Sequence, residues 1–121
     1  MLRWSATRHG ATAVVASDSL IAQHVLQTAR ALGLSVPRDL SLVSFDDPAW
    51  MSLTDPPITV MAQPTHDIGA QAARMLIRRL TGPNEPPRSV VLEQQLIERA
   101  SVAAPAAVAP GARAYSGPSD G

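Results

Sequence analysis

ATAVVASDSLIAQHVLQTARALGLSVPRDLSLVSFDD, residues 11–47, reads as a strand, a helix and a second strand. Ala13, Val14, Val15 and Ala16 make a short apolar run, the pattern of a parallel strand covered on both faces. Ser17 and Asp18 end it, and a short side-chain oxygen there can cap the following helix by accepting from a free amide of its first turn. Ile21, Val25, Ala29 and Leu32 draw one apolar stripe along that helix, while Gln23, Gln27 and Arg30 fall on other faces. Gly33 supplies the left-handed residue that commonly follows a last turn. Pro37 forbids continuation, and Leu40 to Phe45 form the second strand.

Two strands joined by a helix of this length pair in parallel through a right-handed crossover. That geometry sets Ser17, Asp18, Asp46 and Asp47 along one rim of the sheet. Open α/β sheets bind ligands at that rim, outside the carboxyl ends of the strands. Any site in this chain is therefore expected there.

From the serine–aspartate pair at 17–18 through GLSVPRDLSLVSFDD (33–47), PPITVMAQP (56–64), DIGAQAARMLIRRLTG (67–82) and RSVVLEQQLIERAS (88–101), the chain resembles the lactose-repressor (LacI) family of transcription regulators. The matching part is the C-terminal portion of their effector-binding domain. Short pieces such as FDD carry little weight; the ordered set carries the resemblance. It implies an α/β fold, a partial periplasmic-binding-protein-like (type I) sensor: a parallel βαβ core, a crossover helix and a C-terminal strand. It implies no catalysis and no cofactor. The partners it implies are a sugar-like small-molecule effector, a second copy of the chain, and operator DNA reached only through an N-terminal helix-turn-helix domain. Ten residues ahead of Ala11 cannot hold such a domain, so the expectation is the last third of a regulator.

Working outward, Met1 to Gly10 is polar and basic without clear period, a leader or a helix remnant. After Asp47, PAWMSLTDPP is expected to be a loop by its prolines. Ile58 to Gln63 is a short extended run, since Pro64 restricts the residue before it. Thr65 or Asp67 is expected to cap the next helix, whose stripe is Ile68, Ala72, Met75, Leu76 and Leu80. By the resemblance, that helix packs on the sensor's other lobe. GPNEPPRS (82–89) is a stiff turn, and Val90 to Ile97 is strand-like but interrupted by Glu93, Gln94 and Gln95. From Ala103 onward, small residues, proline and glycine leave too little apolar surface to offset ordering entropy, so 103–121 is expected to be disordered and 11–102 to be the folded unit.

The 121 residues carry no formal net charge and no cysteine, with one Phe, two Trp and one Tyr. Neutrality argues against a basic nucleic-acid surface in this segment. The lack of cysteine excludes disulfides and thiolate chemistry and fits a cytoplasmic protein. No apolar run approaches the length of a membrane span.

Asp46 is the first candidate for ligand contact, because a carboxylate at the rim accepts two sugar hydroxyls with charge-assisted strength; its other reading is a cap on the turn before Pro48. Ser17 stands where the resembled family often has asparagine, and is either a shorter ligand contact or a plain helix cap. Trp50 either stacks on a sugar or anchors its loop. By the resemblance, the loop and the first helix build a dimer seam, with Ala22, Leu26, Met51 and Leu53 as candidates. Missing neighbours and open sheet edges likewise point to self-association. Two other readings remain: a sugar-binding transport protein of the same fold, or a magnesium-dependent phosphate enzyme using Asp18, Asp46 and Asp47. The chain has no lysine and no glycine-rich phosphate loop to support the enzyme. His9, His24 and His66 lack the spacing of a zinc set.

Overall fold

A computed structural model describes residues 11–82 and 86–105. The expected leader at 1–10, the centre of the 82–89 turn and nearly all of the expected tail lie outside them. The elements run β1 (Ala13–Ala16), α1 (Ser19–Ala31), β2 (Ser41–Phe45), α2 (Trp50–Leu53), β3 (Thr59–Ala62), α3 (Thr65–Thr81) and β4 (Gln95–Ile97). One sheet of order β1-β2-β3-β4 holds the strands. The β1–β2 and β2–β3 pairs are parallel, as a βαβ unit requires, and β4 closes antiparallel on β3.

Helix α1 starts at Asp18, whose side chain accepts from the backbone amide of Ile21 at 2.8 Å. Ser17 is therefore not the cap. The helix ends on Leu32, with Gly33 at φ 70° and the Leu34 amide donating back to the Ala29 carbonyl at 2.8 Å. This six-to-one closure needs the left-handed conformation. Nothing lies within 4 Å of a β-carbon built on Gly33, so substitution meets backbone strain alone. Gly33→Ala is expected to lose about 1 kcal/mol in urea unfolding, the cost of a left-handed L-residue. An unchanged midpoint would mean the turn relaxes.

The buried side of α1 is rotated from the expected stripe. Ala22 and Ala29 are buried and Val25 and Leu26 pack on the core, whereas Ile21 and Leu32 are exposed. Small residues let the helix sit close on the sheet, so the alanines rather than the larger side chains mark the contact. Ala22, Val25 and Leu26 meet a core of Ala16, Leu42, Met51, Ile58 and Val60. Both Ala22 and Met51 have no exposed surface. Of the four dimer-seam candidates, these two are thus enclosed in the chain's own core. Leu26 is half-buried and Leu53 stands open.

The core cluster lies on one face of the sheet, and the other face carries the buried Ser41 and Thr59 and a less enclosed set of side chains. The register sets Ala13, Val15, Val43, Phe45, Met61 and Leu96 on the face opposite the core cluster, and Val15 is 68% exposed. β1, expected to be covered on both faces, is an edge strand among the described residues, with Ala13 and Val15 exposed on the face away from the core. Its other side chains, Val14 and Ala16, reach the core.

Three boundaries also differ from the sequence reading. Trp50–Leu53 is a single helical turn rather than plain loop, its Met51 amide donating to Pro48 at 3.0 Å. α3 begins at Thr65 with no side-chain cap, because Pro64 precedes it and the first-turn amides of Thr65 and Ile68 donate to the carbonyls of Gln63 and Pro64. β4 is three residues long, since β3 offers only Val60 to Ala62 as partners. Residues 86–94 run beside α3 instead. No strand and no other helix packs on α3, and its expected stripe finds no burial among the described residues.

The segment after β4 seals the start of the β2–β3 pair. The Leu42 amide donates to the Ser101 carbonyl at 2.9 Å, the Ser101 hydroxyl donates to the Leu42 carbonyl, and the Thr59 amide donates to the Ser101 hydroxyl at 2.8 Å. Beyond it, the Ala103 amide and carbonyl both bond the Ser41 hydroxyl at 3.1 Å. Ala103 is therefore held to the sheet, one residue past the expected boundary of the folded unit.

Candidate ligand site at the sheet rim

Parallel register sets the rim. Ala16 pairs with Ser44, so Ser17 and Asp46 leave neighbouring strands at the same edge. Phe45 pairs with Met61 in turn, which brings Gln63 to that edge from β3. Ser17 is exposed and Asp46 half-buried.

Asp46 is the one non-glycine described residue with positive φ, at 67°. That region is unfavourable for L-residues, and aspartate is among the few types that tolerate it. Its amide donates to the Met61 carbonyl at 3.1 Å, and its Oδ1 accepts from Gln63 Nε2 at 2.7 Å. The carboxylate is thus tied to the end of the neighbouring strand, and this contact differs from the expected turn cap before Pro48.

The other rim carboxylates have structural partners. Asp18 caps α1, and Asp47 forms a two-pronged pair with Arg99, with N–O distances of 2.7 Å on both sides. The Arg99 guanidinium also donates to the Ile58 carbonyl at 3.0 Å, and its hydrogen bonds to Asp47 raise its pKa above the ordinary arginine value. Three acids each engaged elsewhere do not make the magnesium set weighed for Asp18, Asp46 and Asp47. Among the described residues no group of three His, Cys, Asp or Glu side chains could hold a metal ion.

Trp50 packs against the core cluster from α2, which favours its role as a loop anchor. Among the described residues His66 meets its neighbour Asp67, at 3.3 Å, and His24 bonds the Leu20 carbonyl one turn back. Two grooves lie elsewhere, between α3 and residues 86–94: one of about 430 Å³ lined by Ile68, Met75 and Val90, and one of about 210 Å³ beside Arg78 and Pro87. They are far more open than a small-molecule pocket that buries most of its ligand.

Gln63, Arg99 and Ser101 were not singled out from the sequence. Gln63 is a polar residue closing an apolar run just before proline, but its place beside Asp46 also needed β3 to lie parallel to β2. Arg99 and Ser101 carried no signal, because their partners lie 41 to 59 residues away in the chain.

Residues 1–102 match the family described as periplasmic binding protein-like domain. Among curated proteins, the chain is 45% identical over 92 residues to the "Probable opine utilization operon repressor" of Rhizobium rhizogenes, covering 75% of this chain and 46% of that one. It is 36% identical over 90 residues to the HTH-type transcriptional regulator KdgR of Bacillus subtilis, covering 74% and 26%. Among solved structures, a LacI family transcriptional regulator from Enterococcus faecalis with bound ribose superposes with a TM-score of 0.76 at 28% identity, covering 82% and 37%. The chain thus spans less than half the length of each of these proteins.

Proposed function

Since the chain belongs to the periplasmic binding protein-like family, among the LacI-type transcriptional regulators, we propose that it forms the effector-sensing part of such a regulator, with Asp46 as the residue that holds the effector. The observation that carries this is the left-handed Asp46 at the carboxyl end of β2, its carboxylate set by Gln63 at 2.7 Å. A strained residue fixed by its surroundings at a strand rim is a common mark of a binding position. Ser17, exposed on the adjacent strand end and relieved of capping by Asp18, offers a second hydroxyl contact. The ligand class is a sugar or similar polyol, because an ionised carboxylate beside a hydroxyl matches vicinal hydroxyl groups. The ribose held by the Enterococcus faecalis relative is of that class.

In this reading the effector acts by binding one arrangement of the sensor better than another, since equal affinity would shift nothing. Operator contact falls to a helix-turn-helix segment, of the kind for which the KdgR relative is named. Such a regulator works in the cytoplasm, and no helix among the described residues is long and apolar enough to cross a membrane. Self-association runs through the α1–α2 side, where Leu53 is 82% exposed and Leu20 also stands open.

A thermal-shift panel of ribose, cellobiose, galactose and related sugars tests the ligand class, because a compound that binds only the folded chain raises its melting temperature. A stabilising sugar is expected, and Asp46→Ala is expected to weaken it at least about tenfold, the loss of one hydrogen bond to a charged group. Equal affinity in the variant would remove Asp46 from the site. No stabilisation by any sugar would overturn the sugar class.

A further inference from the structure

Asp46 sits at φ 67°. An unrestrained L-residue prefers right-handed or extended backbone over this region by a factor of about 5–30, and aspartate by somewhat less. Such a conformation persists only where its surroundings fix it on both sides. On the amino side the restraint is the sheet, since the Asp46 amide donates to the Met61 carbonyl at 3.1 Å. On the carboxyl side the next residue, Asp47, is gripped by both prongs of Arg99 at 2.7 Å. We propose that Arg99 is a positioning residue for Asp46: by clamping Asp47, it keeps the preceding residue left-handed and its carboxylate presented at the rim. This role rests on the reading in which Asp46 holds the effector, and assigns part of that site's geometry to a residue beyond β4.

Arg99 is itself a fixed point. Its backbone amide donates to Thr59 Oγ1 at 2.9 Å, its Nη1 to the Ile58 carbonyl at 3.0 Å, and the Ala100 amide to the Pro57 carbonyl at 3.1 Å. The start of β3 thus holds both the backbone and the guanidinium. Only 17% of the Arg99 side chain and 24% of the Asp47 side chain are exposed, so water competes weakly for the pair. A planar fork that meets both carboxylate oxygens fixes orientation as well as distance. A second tie on this side is the turn of α2, where the Met51 amide donates to Pro48 and Met51 is enclosed in the core. That tie begins at Pro48, whereas the Arg99 pair acts on the residue adjoining Asp46. The bond from Gln63 turns the Asp46 side chain, and Arg99 governs the backbone beneath it.

The test reads the backbone of Asp46 directly, by NMR on the full chain. Phe45 is the one phenylalanine, so carbonyl-13C phenylalanine combined with 13C,15N aspartate marks the single peptide bond between Phe45 and Asp46. The intraresidue Hα–amide NOE and the one-bond Cα–Hα coupling of Asp46 then report whether φ is positive, which a merely stabilising contact would not change. Arg99→Met keeps the stem and removes the fork; Asp47→Asn keeps the shape and removes the charge. Each is expected to weaken the positive-φ signature of the unaltered chain, and the double variant to weaken it no further than Arg99→Met, as two ends of one pair require. Gly33→Ala, which destabilises a turn remote from this pair, is expected to leave it intact. In the sugar titration Arg99→Met is expected to weaken a stabilising sugar about fivefold, the lower end of the backbone preference.

Positive φ retained in both Arg99→Met and Asp47→Asn overturns the proposal, as does an equal loss of the signature in Gly33→Ala. Should Arg99→Met fail to fold, Asp47→Asn decides in its place. Loss of the signature with sugar affinity unchanged also overturns the positioning role. The effector reading stands or falls separately, because an unaltered chain that binds no sugar removes it while the backbone measurement still decides whether Arg99 holds Asp46 left-handed.

Discussion

Ser101→Ala is expected to lower folding stability by about 3 kcal/mol, read as a fall in the urea midpoint with unchanged slope. The residue has no exposed surface. Its hydroxyl donates to the Leu42 carbonyl and accepts from the Thr59 amide, and so bridges β2 and β3 where their own ladder has not begun. Alanine fills nearly the same volume but leaves one buried acceptor and one buried donor without their hydroxyl partner. Each such group costs about 1–3 kcal/mol, against a total stability for a domain of about 5–15 kcal/mol. A loss below about 1 kcal/mol would show that the backbone bond from Leu42 to Ser101 suffices, or that water replaces the hydroxyl.

Met51→Ala is expected to cost about 3–4 kcal/mol, within the range for removing a large buried side chain and leaving part of the space empty. Met51 is fully enclosed among Ala16, Leu42, Ile58 and Val60, and its carbonyl accepts from the Ile58 amide at 2.9 Å and the Thr54 hydroxyl at 3.0 Å. Those bonds hold the single turn of α2 to the start of β3, so truncation also loosens the turn. The measurement separates core from seam. A core residue gives the same loss at every protein concentration. A residue buried only between copies gives a loss that grows on dilution, and that result would reinstate Met51 at the interface.

The βαβ centre was legible because its signals are local. An apolar run, an aspartate cap, a helical period and Gly33 lie in sequence, and the rim follows from the handedness of one crossover. Periodicity did not tell which side of α1 would face inward. Ile21 and Leu32 outweigh Ala22 in hydrophobicity, but close approach to the sheet selects the small residues. The four-residue turn at Trp50 was too short to show a period, and β4 was overestimated because strand length depends on the partner's length, which lies elsewhere in the sequence. At the site, the rim placement of Ser17 and Asp46 was readable from topology. The Gln63 contact was not, because it needed the orientation of β3 as well.

The seal at Ser101 sets an order on how the protein comes to exist. During synthesis β2 emerges long before the hydroxyl that completes it, 59 positions later. Until that segment clears the ribosome, the openings of β2 and β3 have no bridge, and a contact so distant in sequence is slow to find. A nascent chain paused ahead of residue 101 would thus offer unpaired strand backbone to whatever is near, and a chaperone acting at that moment would meet it in its most vulnerable form.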